Sequence, residues 1–110
     1  MSLKVVILQS AHTDLKELRT YLVKQFSTQT WQSTYANLKI AILGLADLPY
    51  SGSIPEELEK LNLGQYRQVV SGMNRVIYEV REKTVFIHII VDTRKSLPAL
   101  LMKRLLRDNP

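Results

Sequence analysis

The spacing of apolar side chains changes once along this chain, and that change limits the fold more than any other feature. Between Leu15 and Leu45 large apolar residues return every three or four positions. Between Gln65 and Asp92 they fall in short β-branched runs. The first spacing belongs to helices with one buried side, the second to strands. Each kind of element must bury its apolar face against another, so the two halves imply an α+β fold.

The elements follow in order. Leu3–Gln9 is apolar and β-branched and reads as an N-terminal strand. Leu15, Leu18, Leu22 and Phe26 form one helical stripe, with Ser10 or Thr13 placed to cap its start. Asp14 and Glu17 near its beginning and Lys24 near its end suit the helix dipole. Ser27–Thr30 breaks the pattern. A second stripe then runs through Trp31, Tyr35, Leu38, Ile42 and Leu45, until Asp47-Leu48-Pro49 ends it. Two stripes joined by a short break predict an αα-hairpin. Pro49–Gly64 reads as a long loop, functional or mobile, with room for one helical turn at Glu56–Leu61.

Three strands come next: Gln65–Ser71, Arg75–Arg81 and Thr84–Asp92, an antiparallel meander. Gly72-Met73-Asn74 is a plausible turn. Glu82-Lys83 lacks the glycine or asparagine that a tight hairpin favours, which leaves a longer or bulged turn as the alternative. With a tight register, Val76, Tyr78, Val80, Val85, Ile87, Ile89 and Val91 share the face that packs on the helical hairpin. Arg75, Ile77, Glu79, Arg81, Phe86, His88, Ile90 and Asp92 share a second, open and mixed face able to bind something. A slip of one residue reverses the pairing. Ser96–Arg107 can close the chain as a short C-terminal helix, with Ser96 as cap, Pro98 in the first turn, and an apolar side of Leu97, Leu100, Leu101, Leu105 and Leu106.

Length and composition narrow the function. The 110 residues suit one domain, residues 1–110. With no cysteine and only His12 and His88, a disulfide framework and a thiol nucleophile are excluded and a metal centre is disfavoured, so no cofactor is expected. No apolar run reaches the roughly 18 residues of a membrane span, and no secretion signal is visible, so the expectation is a cytoplasmic protein without a membrane partner. Fifteen basic against ten acidic residues give a net charge of +5. The sharpest excess is Arg94–Arg107, which holds Arg94, Lys95, Lys103, Arg104 and Arg107 and no carboxylate. Such a balance suits an anionic partner, though the same charges near a helix C-terminus also complement its dipole.

Few side chains are candidates for chemistry. Arg75 opens a strand beside a turn, where its planar fork suits phosphate or carboxylate; the plainer reading is a solvated surface arginine. Arg94 and Lys95 follow a strand end, where Asp92 can simply pair with Arg94. His88 has the titration range of an acid or base, but sits among Ile and Phe as structural histidines do. Trp31, Tyr66 and Tyr78 read as packing residues. There is no HExxH, phosphate loop or nucleophile elbow.

Several stretches in this order resemble the RelE/ParE toxin superfamily of type II toxin–antitoxin modules. They are Ala11-His12-Thr13-Asp14-Leu15 with Tyr21-Leu22; Ala41-Ile42 through Leu48-Pro49 and Gly52; Tyr66-Arg67 with Arg75-Val76-Ile77-Tyr78-Glu79-Val80; and Ile87–Arg94 followed by Leu100-Leu101 and Arg104-Leu105-Leu106. The resemblance implies an N-terminal strand, an αα-hairpin on one face of an antiparallel sheet with a three-strand meander, and a short C-terminal helix.

It also implies two activities. RelE-like members cleave mRNA on the ribosome without metal, using basic residues and, in some, a tyrosine near the C-terminus. ParE-like members inhibit DNA gyrase. Both are neutralised by a cognate acidic antitoxin in a hetero-oligomer. Arg75 and Arg94 match arginines of the superfamily, and Arg67 matches a lysine of the cleaving branch. The tyrosine falls at Leu100 and a second lysine near Val69, which leaves the cleaving set without an evident general acid. His88 is the remaining substitute.

The expectation is therefore a ParE-like gyrase inhibitor, with a RelE-like ribonuclease acting through Arg75, Arg94, Arg67 and His88 as the alternative. A non-toxic member that binds antitoxin and regulates its operon is the third reading. Arg75, Arg94, Lys95, Lys103, Arg104 and Arg107 are the expected target-binding residues, with the tail from Arg94 onward shaping toxicity. Leu15, Leu22, Trp31 and Leu38 are the expected antitoxin-binding surface, or else an open sheet edge accepts a strand.

Overall fold

The computed structural model describes residues 2–107, with side chains as far as Arg104. The run Lys-Val-Val-Ile forms β1 (Lys4–Ile7), and the chain turns directly from it into α1 (Gln9–Gln25). Leu8 donates its N–H to the Ile87 carbonyl (3.1 Å), so the strand's last bond delivers the chain to the helix start. Leu8 is therefore the N-cap, with no side-chain cap bond. Ser10 and Thr13, expected at the cap, lie inside the helix, where the Thr13 hydroxyl donates back to the Gln9 carbonyl. Ser27 caps α2 (Thr28–Gly44) by accepting the Thr30 N–H (3.0 Å).

The loop after α2 carries α3 (Glu56–Glu59) and leads to β2 (Tyr66–Ser71), β3 (Asn74–Arg81) and β4 (Thr84–Asp92). The chain closes with α4 (Leu97–Arg107). The sheet order is β1-β4-β3-β2. The meander pairs are antiparallel, while β1 joins β4 in parallel, in register from Lys4 opposite Thr84 to Ile7 opposite Ile87. Both hairpin loops are two residues long, because Ser71 pairs with Asn74 and Arg81 with Thr84. Gly72 meets the left-handed requirement of the first at φ 59, and Glu82 adopts φ 54 in the second without a glycine.

The irregularity expected at the Glu82-Lys83 turn occurs instead in mid-strand. Tyr78 pairs with Ile87 and Ile77 with Ile89, which leaves His88 as one extra residue in β4. Before this bulge the faces follow simple alternation. Beyond it they exchange. Ile90 joins Val76, Tyr78, Val85 and Ile87 under Ala11, Leu38, Ile42 and Leu45. Ile89 and Val91 join Ile77 on the other face. Strict alternation predicted the reverse for Ile89, Ile90 and Val91, because one inserted residue inverts every later side chain.

The second face is also closed. Leu58 of α3 and Leu97 and Leu101 of α4 are fully buried against Tyr66, Ile77 and Ile89. The expected open, mixed face is thus a second core. Each fully buried Leu or Ile there contributes about 1.5–3 kcal/mol relative to exposure.

The long loop is stitched down. Ser53 and Gln68 exchange N–H···O bonds of 3.1 and 2.7 Å, extending the sheet beyond β2. Gly52 donates its N–H to the Tyr78 hydroxyl (3.0 Å). A Cβ on Gly52 would stand 2.4 Å from the Gln68 carbonyl oxygen and 2.6 Å from the Tyr78 hydroxyl, so only glycine fits. Gly52→Ala is expected to destabilise the fold by about 1–3 kcal/mol, read as a lower urea midpoint at constant slope. An unchanged midpoint would mean that the loop is not held in this way.

Candidate functional site

Arg75 stands at the junction of four segments. Its side chain is buried, with the residue only 8% exposed. Nη1 donates to Glu57 Oε1 at 3.0 Å and to Gln68 Oε1 at 3.2 Å, and Nη2 donates to the Lys95 carbonyl at 2.6 Å. The other Glu57 oxygen accepts from the Leu97 N–H (3.5 Å) at the start of α4. One guanidinium thereby joins β3, β2, α3 and the lead into α4. Glu57, which the sequence places only within the one helical turn of the long loop, is the carboxylate that pairs with Arg75.

Arg67 lies apart from it. Arg67 pairs across the sheet with Tyr78, whereas Arg75 shares the face of Ile77. Its Nη1 donates to the Gly52 carbonyl at 2.8 Å and its guanidinium covers the Tyr50 ring at 5.1 Å, holding the loop. His88 does lie on the Arg75 face, but it is 1% exposed. Its Nε2 is 3.1 Å from Glu79 Oε1, an oxygen that also meets Arg81 Nε at 3.2 Å. The Tyr66 ring stands edge-on to it at 5.3 Å. The structure therefore does not gather Arg67, Arg75 and His88 in one cleft.

Arg94 is exposed after β4 and is held by its neighbour. Its Nε and Nη2 meet the two Asp92 oxygens at 2.9 Å each, and its backbone N–H donates to Oδ1 at 2.8 Å. These bonds hold the Asp92 carboxyl down at about 2. The carboxylate form is therefore favoured above the ordinary value of 3.8, and this preference is lost as pH falls through about 2. Lys95 and Lys103 present their side chains to solvent. The Arg107 side chain, with those of Leu105 and Leu106, lies outside the described residues.

Arg104 differs most from its expected role. It is 9% exposed and reaches away from the basic tail to Asp14 of α1. Nη2 bonds Asp14 Oδ1, and Nη1 donates to Oδ2 at 3.1 Å and to the His88 carbonyl at 3.3 Å. Asp14 Oδ2 also accepts the Ile90 N–H (2.9 Å). Burial pushes the Asp14 carboxyl above its ordinary value, against the downward pull of Arg104 and the Ile90 N–H. Sequence reading assigned Asp14 to the helix dipole. The overlooked signal was its place three residues after Ala11 and four before Leu18, on the apolar side of the stripe. A tail cut after Leu97 would remove Leu101 from the second core and Arg104 from Asp14.

The expected antitoxin surface is partly internal. Leu38 is fully buried and Leu15 packs on the same core. Trp31 is half-buried and stacks on Tyr35, with centroids 5.3 Å apart. Leu22 alone of the four lines a groove of about 380 Å³ between α1, α2 and the β2–β3 turn. Leu18, Tyr21, Phe26 and Met73 line it too, with Thr30, Thr34, Asn37, Asp92 and Arg94 as polar neighbours. Tyr21 and Phe26 meet edge-on at 6.3 Å, and Phe26 is 64% exposed. The geometry is an apolar trough with a polar margin, suited to an amphipathic segment. Among the described residues no cluster of three or more His, Asp or Glu side chains could hold a metal ion, and no helix is long and apolar enough to cross a membrane.

Strand, helical hairpin, meander and closing helix define an α+β architecture shared with a known class of small toxins. The solved structure described as "Chromosomal ParDE TA system from P. aeruginosa" is similar in fold, with a TM-score of 0.66 at 13% identity, covering 83% of this chain and 96% of that one. No curated protein matches the chain. The family model for the ParE toxin of the type II toxin–antitoxin system parDE matches residues 5–96, and the chain belongs to that family.

Two outcomes follow from the site. Arg104→Met, which strands a buried carboxylate, is expected to cost about 3–5 kcal/mol in urea unfolding, with only part of the loss recovered in the double variant Asp14→Leu, Arg104→Met, which still leaves the Ile90 N–H and the His88 carbonyl unmet. Equal losses in both would show that packing, not charge, matters there. Second, the Asp92 carboxyl should titrate near 2 by carbon-detected NMR and return toward 3.8 in Arg94→Ala; a midpoint unmoved by that change would contradict the chelate.

Proposed function

We propose that the protein is a ParE-like toxin that inhibits DNA gyrase in the cytoplasm and is neutralised by a cognate antitoxin seated in the groove beside Leu22 and Phe26. The observation that carries this choice is the state of Arg75. Ribonuclease chemistry needs cations free to meet charge developing on a phosphate, and an acid for the leaving oxygen. The Arg75 guanidinium is committed to Glu57, Gln68 and the Lys95 carbonyl. Arg67 is on the opposite face, His88 is enclosed beside Glu79, and Leu100 and Val69 stand where the resemblance places a tyrosine and a lysine. These features favour inhibition by binding over phosphodiester cleavage. The groove's exposed aromatic residues supply the anchors that a partner helix needs, in a hetero-oligomer with the antitoxin.

Supercoiling of relaxed plasmid by gyrase tests the reading. Antitoxin-free protein should inhibit in a dose-dependent way, and the antitoxin should reverse it. Phe26→Asp should inhibit equally but need at least tenfold more antitoxin for reversal. Folded protein that leaves supercoiling untouched and cleaves mRNA on ribosomes would replace this reading with the ribonuclease one. Normal reversal of Phe26→Asp would move the antitoxin elsewhere.

A further inference from the structure

Most arginines of this chain are spent internally. Arg75, Arg81, Arg94 and Arg104 each meet a carboxylate. The solvent side of α1 is different. Lys16, Arg19 and Lys24 are exposed and form no ion pair among the described residues. With Thr20, Val23 and Thr28 they line one shallow groove of about 630 Å³. Thr28 is the first residue of α2, so the groove ends at that helix's N-terminus, the positive end of its dipole. One carboxylate, Glu17, stands on the flank of the stripe and lines two adjoining grooves, one with Asp14 and Tyr21 and one with Lys16, Thr20, Tyr21 and Lys24.

We propose that this face of α1 binds the phosphate backbone of duplex DNA. The lining chemistry selects the occupant. A protein partner needs an apolar, well-packed centre, and Val23 is the only apolar lining residue. A single strand needs aromatic platforms, and the groove has none. A duplex backbone needs only cations and hydroxyls, which are what the groove offers. From Lys16 to Lys24 the helix rises about 12 Å, comparable to the width of a B-DNA major groove, so the end cations can reach phosphates on both sides. The A-form major groove of RNA is too narrow for the same seating. The surface has no lining residue in common with the groove at Leu22.

Fluorescence anisotropy with a short labelled DNA duplex, at several salt concentrations and without gyrase, tests this independently of the target. Three phosphate contacts imply that log affinity falls with log salt at a slope steeper by about 2.7 than without them. The triple variant Lys16→Gln, Arg19→Gln, Lys24→Gln should lose that part of the slope and at least tenfold in affinity at about 50 mM salt. All three side chains are exposed, so the thermal midpoint should fall by no more than about 4–8 °C, the loss of Lys24 from the last turn of α1 being the main cost. Lys16→Gln alone, a milder change, should flatten the slope by about 0.9. Absence of duplex binding by the unaltered protein, or an unchanged slope in the triple variant, overturns the proposal. So does a polyglutamate peptide or an RNA duplex of the same length that competes as well as DNA.

Discussion

The carboxylate of Asp14 and the guanidinium of Arg104 complete an edge that the sheet leaves unfinished. β1 ends opposite Ile87, while β4 continues to Asp92. Beyond that point β4 has no strand on its β1 side. Asp14 accepts the Ile90 N–H there and Arg104 donates to the His88 carbonyl, so two side chains do the work of a missing strand. Unmet, those backbone groups would each cost about 1–3 kcal/mol. The same pair ties α1 on one face of the sheet to α4 on the other. Because ionisation of a carboxyl whose value is raised opposes folding, the Asp14 contribution is fullest below 3.8 and is lost as pH rises through its raised value.

The His88 bulge lies inside this junction and determines what each face can be. It turns Ile90 toward the helical hairpin and Ile89 and Val91 toward α4. The second face thereby gains enough apolar surface to hold Leu97 and Leu101. Glu57 then closes the opposite end, accepting from both Arg75 and the first turn of α4. A tail that looks from its charges like a free basic arm is instead packed and pinned at both ends.

The element order was legible because it rests on local rules. Apolar spacing marks α1 and α2 and β-branched runs mark the strands, whereas the second helix ends at Gly44, ahead of the Asp47-Leu48-Pro49 stop expected for it. The family resemblance rests on that same order. The parallel seat of β1 was not legible, since it joins residues 80 positions apart in sequence, and the bulge was not, since alternation within a strand carries no mark of one unpaired residue. The surroundings of the site residues were not legible for a related reason. Arg75 and Arg104 look like surface cations until Glu57 and Asp14 are brought to them by the fold. The groove was half visible: Leu22 was found from helical spacing, while Tyr21 and Met73 needed the β2–β3 turn to be placed against α1.

The connection of β1 to β4 and of Asp14 to Arg104 also sets a timetable for biosynthesis. Asp14 waits for a partner 90 residues later, which at about 5–20 residues per second is roughly 5–18 s of translation. During that interval the emerging N-terminal segment contains both helices of the hairpin, whose contacts are local, but neither the strand nor the arginine that completes the fold. The residues Tyr21, Leu22 and Phe26 therefore leave the ribosome well before the tail does. The groove they line also takes Met73, Asn74, Asp92 and Arg94, so it is complete only when the sheet is.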